Sequence, residues 1–150
     1  MATQCKLLTD TRQMIAPQTW TTVRFDRVIR NDLGMFLGNA RVTDPKSALI
    51  TPAEDGDFLW YRFVHWDSVA VPDGDVRERQ FMERFVRDPY GIADSTGSSD
   101  GEDTAGKEFH LGGWAFYGRA GQPVAVEVWH DHNEPVAVTH AQFIGMTWDH

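Results

Sequence analysis

Apolar and polar side chains alternate along most of this chain. The stretch TTVRFDRVI places Val23 and Phe25 on one face, and PVAVEVWHDH does the same with Val124, Val126 and Val128. Alternation with a period of two predicts half-buried β-strands, because successive side chains of a strand point to opposite faces of its sheet. Turn signals recur about every eight to twelve residues, which is typical of a sandwich or barrel. The pattern therefore predicts an all-β fold and not alternating βα units.

Two segments depart from this simple alternation. Residues 76–88 contain VRERQFMERFVR, in which Phe81 and Phe85 have helical spacing, whereas Phe81, Glu83 and Phe85 would share one face of a strand. The local sequence leaves helix and strand equally open there. Residues 93–106, ADSTGSSDGEDTAG, are acidic, rich in Gly and Ser, and hold almost nothing to bury. They are predicted to form an exposed loop within the domain.

The length of the chain suits one domain, and residues 16–150 are predicted to form it. Residues 1–15 are either its first strand or an arm that docks on a neighbouring chain. A formal net charge of −8 argues against nucleic acid and against an anionic membrane surface as the main partner. Cys5 is the single cysteine, so the fold does not depend on an internal disulfide. No apolar run has the length of a signal core or a membrane span, and we expect the chain to fold in a cytoplasm.

The stretch WHDHNE is the main candidate for metal chemistry. His130 and His132 stand two residues apart, and on a strand both imidazoles would point to one face. Two histidines supply at most half of a tetrahedral site, so Asp131, Glu134, His140 or a neighbouring subunit would have to complete it. A structural ion between subunits and the His-x-His metal centre of a cupin-like enzyme are the two metal alternatives. An exposed polar turn is the main expectation, and no cofactor is predicted.

Other chemistry has little support in the sequence. It contains no Gly-x-Ser-x-Gly elbow, no phosphate-binding loop and no His-Glu-x-x-His helix, so no catalytic residues are predicted. Aromatic faces stack on sugar rings, which makes Trp114, Trp129 and Trp148 candidates for binding a glycan. These residues lie in different segments of the C-terminal half, and core or interface positions are the alternative for each.

Several segments together resemble the jelly roll of the superfamily that unites tumour-necrosis-factor-like proteins and the globular heads of complement component 1q. VRFDRVIRNDLGMF is similar to the family's strand, N-x-G turn and aromatic residue. LITPAEDGDFLWYRF is similar to its F-T-A-P-x-x-G-x-Y stretch, and HLGGWAFYGRAGQPVAVEVW and AQFIGMTW to its C-terminal strands. The segments fall in the family's order over about two-thirds of the chain. Gly121-Gln122-Pro123 departs from the family, which usually carries an acid after this glycine.

The resemblance implies a ten-strand-type jelly-roll sandwich that forms a homotrimer. In FLWYRF, Phe58 and Trp60 would face the core of the sandwich, and the alternate side chains would face outward. Large apolar residues on an outer face indicate a buried interface, and in the resembled family that face packs around a threefold axis. The expected trimer-interface residues are Leu59, Tyr61, Phe63 and Phe143.

Within the superfamily, the chain looks most like the free-standing heads found in tailed-bacteriophage virions. That resemblance implies a non-enzymatic structural protein on the virion surface, either a minor tail protein or a capsid decoration protein, which folds in the host cytoplasm. Its partners would be further copies of itself and other virion proteins, with a host surface glycan as a further candidate. One alternative is a recognition module for a host glycan or receptor, and a weaker one is a cupin-like metal-dependent enzyme.

Overall fold

A computed structural model describes residues 2–69, 79–103 and 106–148. Within these ranges the chain forms eleven β-strands and two short 3-10 segments, Asp32–Gly34 and Pro45–Ala48. No helix in the described ranges is long and apolar enough to cross a membrane. The strands are β1 (Ala2–Thr9), β2 (Gln13–Ile15), β3 (Thr21–Thr22), β4 (Arg27–Asn31), β5 (Leu49–Ile50), β6 (Gly56–Val69), β7 (Arg79–Arg87), β8 (Asp94–Asp103), β9 (Gly106–Gly118), β10 (Val124–His130) and β11 (Val136–Trp148).

The strands form two antiparallel sheets that pack face to face. Sheet I has six strands in the order β4-β1-β11-β6-β9, with β2 pairing with β11. Sheet II has five strands in the order β3-β10-β7-β8, with β5 pairing with β10. Most neighbours in each sheet are distant in sequence, which is typical of a jelly roll. The predicted all-β jelly-roll sandwich is therefore confirmed.

The N-terminal segment is an integral part of sheet I. β1 lies between β11 and β4, and its register pairs Ala2 with Trp148 and Thr9 with Ala141. β2 then pairs Ile15 with Val136 near the start of β11. Residues 2–15 thus supply two strands of the domain.

The core between the sheets is built from large rings. Phe58 and Trp60 stack with their ring centroids 5.1 Å apart, and both are buried as predicted. Trp60 has room because Gly145 faces it: a Cβ at that position would lie 2.7 Å from Trp60 Cζ3. A residue larger than glycine would therefore displace one of the two buried tryptophan rings of the core. The centre is completed by further buried residues, among them Leu7, Phe25, Trp66, Phe81, Phe85 and Val126.

The helix-or-strand question at 76–88 is resolved for its described part. Residues Arg79–Arg87 form strand β7, while 76–78 lie outside the described residues. Phe81, Glu83 and Phe85 all point inward with no exposed surface. The strand interpretation is therefore the right one, because alternate side chains and not those of helical spacing share the buried face.

The loop predicted at 93–106 is wrong for most of its length. Asp94–Asp103 form strand β8, which pairs with β7 at the edge of sheet II, and β9 begins at Gly106. An edge strand is held by main-chain hydrogen bonds to its one neighbour, so it needs few apolar side chains. Gly97 has a φ of +63°, and the register with β7 shifts by one residue beside it, as in a β-bulge. The composition of residues 93–106 indicated a loop, because composition carries no information about main-chain hydrogen bonds to a neighbouring strand.

Candidate functional site

The outer face of sheet I, which points away from sheet II, carries a continuous set of large apolar side chains. Antiparallel register aligns the strands so that Tyr61 of β6 lies between Ile144 of β11 and Gly113 of β9, and Phe63 lies opposite Leu111. Residues opposite each other in an antiparallel pair point to the same face. We call this surface the apolar face of sheet I. It consists of Leu59, Tyr61, Phe63, Phe109, Leu111, Tyr117, Ile144 and Met146.

Much of this face is open to solvent in the single chain. The exposed fractions are 75% for Leu111, 59% for Phe109 and 49% for Tyr117. Leu59, Tyr61 and Phe63 are half-buried, because their neighbours on β9 and β11 cover only their flanks. Single exposed apolar residues are ordinary, but a contiguous set on one sheet face is typical of a protein–protein interface.

Gly113 shapes the middle of the apolar face. A Cβ at Gly113 would lie 3.1 Å from Cδ1 and Cε1 of Tyr61, so the tyrosine ring leans over this glycine. Gly113 has no positive φ and is needed here for space. The tyrosine ring therefore lies low across β9, which keeps the face flat enough to pack against another surface.

Polar side chains border the apolar face at one end. His65 stacks on Phe109 with ring centroids 4.0 Å apart, and His140 meets Phe63 edge-on at 5.8 Å. His140 Nδ1 lies 2.7 Å from a carboxylate oxygen of Asp10. An apolar centre with a polar rim is the usual composition of a protein interface.

The structure corrects the position expected for Phe143. Its ring has no exposed surface and packs in the core, with ring centroids 6.0 Å from Trp60 and 5.9 Å from Phe25. In β11, Phe143 pairs with the inward-facing Arg62, so its neighbour Ile144 carries the outward position. The error is one residue of register, which exchanges the two faces of a strand.

The expectation of an exposed turn at WHDHNE is wrong for its two histidines, whereas Asn133 and Glu134 do lie exposed in a bend. His130 and His132 are 0% and 4% exposed, because His130 ends β10 on its inward side against Trp66. His130 Nε2 lies 2.7 Å from the carbonyl oxygen of Ile15, and its Nδ1 accepts a hydrogen bond from the His132 backbone N–H. These two partners fit the neutral imidazole with its proton on Nε2. Burial, as the largest cause, lowers the pKa of His130 below its ordinary value.

The metal hypothesis for these histidines finds no completing ligands. Among the residues described, no three His, Cys, Asp or Glu side chains form a group that could hold a metal ion. Both ring nitrogens of His130 are already engaged within the chain. The pair contributes packing and hydrogen bonds at the end of the core.

The three candidate tryptophans lie in different parts of the molecule. Trp114 is 53% exposed at the open edge of β9. It lies next to Gly97, where an added Cβ would come within 2.9 Å of the Trp114 Cβ. Trp148 is 46% exposed near the end of β11 and lines a cavity of about 250 Å³. Trp129 is half-buried on the outer face of sheet II, beside Trp20. The structure therefore does not bring the three into one site.

A charged cluster inside the sandwich has no counterpart among the sequence predictions. Glu83 Oε1 accepts a hydrogen bond from Trp66 Nε1 at 3.1 Å and also contacts His110 Nδ1. The Arg62 guanidinium lies 4.5 Å from the centroid of Phe85 and donates to the Glu83 carbonyl at 3.2 Å. Burial lowers the pKa of Arg62 to about 10, and the nearby Glu83 opposes this shift. A glutamate between two inward phenylalanines was the signal in the sequence, but its partners come from other strands.

Known structures share this architecture over nearly the whole chain. The globular domain of zebrafish complement 1qA matches with a TM-score of 0.65 and 12% identity, covering 99% of this chain and 98% of that one. Murine APRIL at pH 5.0 matches with 0.63 and 11% identity over 96% and 98% of the two chains. Eiger TNF from S. frugiperda matches with 0.58 and 10% identity over 100% and 94%. No family model matches the sequence, and no curated protein matches it. The chain thus has the jelly-roll fold seen in proteins of the tumour necrosis factor and complement 1q type.

Proposed function

We propose that this chain is a non-enzymatic assembly module that forms a homotrimer through the apolar face of sheet I. The observation that carries the proposal is the exposed aromatic and aliphatic surface around Tyr61, Phe109 and Leu111. Burying it against neighbouring copies removes apolar area from water, which is the main driving force of stable association. A threefold arrangement is what the jelly-roll resemblance implies, and a cyclic assembly closes without leaving a surface for further growth.

We propose further that the trimer is a structural component of a bacteriophage particle, either a minor tail protein or a capsid decoration protein. This step rests on the sequence resemblance to free-standing heads of tailed-phage virions. In this role the protein folds in the host cytoplasm and then joins the virion surface, and its partners are other virion proteins. Fold alone does not determine such a role, so it is tested separately from assembly.

The assembly proposal is tested by the solution mass, measured by light scattering after size exclusion. We expect three times the 17.0 kDa of one chain. Tyr61→Asp should return a folded monomer, because it would place an unpaired charge in a dry interface. Tyr90→Asp is the matched control: Tyr90 is 54% exposed in the turn after β7, away from sheet I, and its substitution should leave the mass unchanged.

A monomeric wild-type protein would overturn the assembly proposal. So would a Tyr61→Asp variant that keeps the wild-type mass, since the association surface would then lie elsewhere. The virion proposal is tested on purified phage particles whose genome encodes the chain. Its peptides should copurify with intact particles, and gold-labelled antibodies should decorate the particle surface. Absence of the chain from purified particles would reject the virion role and leave the trimer standing.

A further inference from the structure

The outer face of sheet II carries a second group of large side chains, arranged in cross-strand rows. Thr22 of β3, Glu127 of β10 and Arg84 of β7 lie opposite one another. Two residues along, Trp129 lies beside Trp20, which immediately precedes β3. We call Trp20, Arg84, Glu127 and Trp129 the Trp20 cluster. It lies on the opposite sheet from the apolar face of sheet I, so association through that face leaves it accessible.

The Trp20 cluster is held by specific contacts. Arg84 donates from Nε and Nη2 to Glu127 Oε1 at 2.9 and 2.7 Å. The guanidinium carbon lies 3.8 Å from the centroid of the Trp20 ring, so the two side chains meet over β10, which lies between their strands. The rings of Trp20 and Trp129 are 6.4 Å apart and inclined by 35°. An ion pair and a cation–π contact on one arginine give a surface whose side chains are positioned before any ligand arrives.

Part of the hydrogen-bonding capacity of this ion pair is unused. Both Arg84 bonds end on Oε1, and within the described residues neither Glu127 Oε2 nor Arg84 Nη1 has a hydrogen-bond partner. The Arg84 side chain is 22% exposed and the Glu127 side chain 11% exposed, and both tryptophans are half-buried. An oriented acceptor and an oriented donor therefore lie next to partly exposed indole rings.

We propose that the Trp20 cluster binds a neutral saccharide. The C–H faces of a sugar ring are apolar and pack on an indole, while adjacent hydroxyl groups both donate and accept hydrogen bonds. Glu127 Oε2 accepts from one hydroxyl and Arg84 Nη1 donates to its neighbour. Acidic sugars are disfavoured, because Glu127 already balances the charge of Arg84 and the chain carries a net charge of −8. The proposal does not depend on the trimer, since all four side chains belong to one chain.

The test is saturation-transfer NMR on the full chain with glucose, galactose, mannose and N-acetylglucosamine at millimolar concentration, and with glucuronic acid as the acidic counterpart of glucose. At least one neutral sugar should bind, and glucuronic acid should bind more weakly than glucose. Trp129→Ala should weaken binding at least about fivefold by removing one stacking surface. Glu127→Gln keeps the side-chain shape and should weaken binding by roughly threefold or more through loss of the charged acceptor.

Two controls separate a site from a general effect of tryptophan or of unfolding. Trp114→Ala removes a more exposed tryptophan outside the cluster and should leave sugar binding unchanged. Thermal unfolding of each variant is recorded to show that it is folded. If Trp129→Ala fails to fold, the proposal is tested by the sugar affinity of Glu127→Gln alone. Binding of none of the four neutral sugars would overturn the proposal. Equal binding by wild type and by Glu127→Gln, or preferred binding of glucuronic acid, would also overturn it.

Discussion

The two outer faces of this sandwich use aromatic residues in different ways. On sheet I, Tyr61, Phe109 and Leu111 stand beside other apolar groups, and only the rim contains histidines. On sheet II, Trp20 is covered by Arg84, which in turn is held by Glu127. Exposed aromatic residues alone therefore do not identify an association surface. The residues on the neighbouring strands decide whether an aromatic side chain stands among apolar groups, as in an interface between chains, or beside charged groups that can also form hydrogen bonds.

The largest effect on stability should come from truncating Phe143, which lies on the inner face of β11. Phe143→Ala would open a cavity in the core, and we expect the free energy of unfolding to fall by about 3–5 kcal/mol. Tyr61→Ala, on the outer face, should reduce association and change the stability of the folded monomer far less. Urea denaturation of both variants at one protein concentration makes the comparison, because association itself contributes to the stability of an oligomer. If both variants are diluted until they are monomeric, a larger fall in the free energy of unfolding for Tyr61→Ala than for Phe143→Ala would mean that the two faces are assigned the wrong way round.

A smaller change tests the flatness of the apolar face. Gly113→Ala should push the Tyr61 ring off β9 and weaken association by about 1–3 kcal/mol, in the range of other overpacking changes. Gly91→Ala is the control, because its added Cβ would meet nothing closer than 3.9 Å and the residue lies in a turn. Sedimentation equilibrium of the two variants gives the association constants. Unchanged association in Gly113→Ala would exclude Tyr61 from the contact.

The smallest expected effect is the loss of stability at acidic pH that is caused by His130, at the end of β10 in sheet II. Burial lowers the pKa of His130, so the unfolded chain takes up this proton at higher pH than the folded chain does. This group is neutral in both states well above pH 6.5 and then has no effect; below about 6.5 it lowers the free energy of unfolding as the pH falls. The monomeric Tyr61→Asp variant isolates this effect from association. Its stability should decline less on acidification after His130→Gln, and an identical decline would show that folding leaves the pKa of His130 unchanged.

The faces of β6 could be predicted from the sequence, whereas the face of Phe143 could not. In FLWYRF the alternation and the preceding turn fix which residues point inward, and the structure agrees for Phe58 and Trp60. In AQFIGMTW, Phe143 and Ile144 are both large and apolar, so local pattern does not distinguish the two faces. Only pairing with β6, where Phe143 meets Arg62, settles the register.

The remaining errors have the same physical origin. His130 is buried because Ile15 and Trp66, far away in sequence, surround it. Arg84 reaches Trp20 across β10, and no spacing along the chain reports that contact. Strand β8 exists through main-chain bonds to β7, which composition does not record. Elements that depend on a strand's own alternation could be predicted, and those that depend on which strands become neighbours could not.

The place of β11 in sheet I has a consequence for synthesis. β11 is the last strand in the described chain, yet it lies in the middle of its sheet and pairs with β1 on one side and β6 on the other. While the ribosome is still making the residues before 136, β1 and β6 have no central partner and their edges stay open. Sheet I therefore cannot close during translation of the earlier strands. The domain should become resistant to proteases only after β11 has left the ribosome, and stalled shorter chains should depend on chaperones.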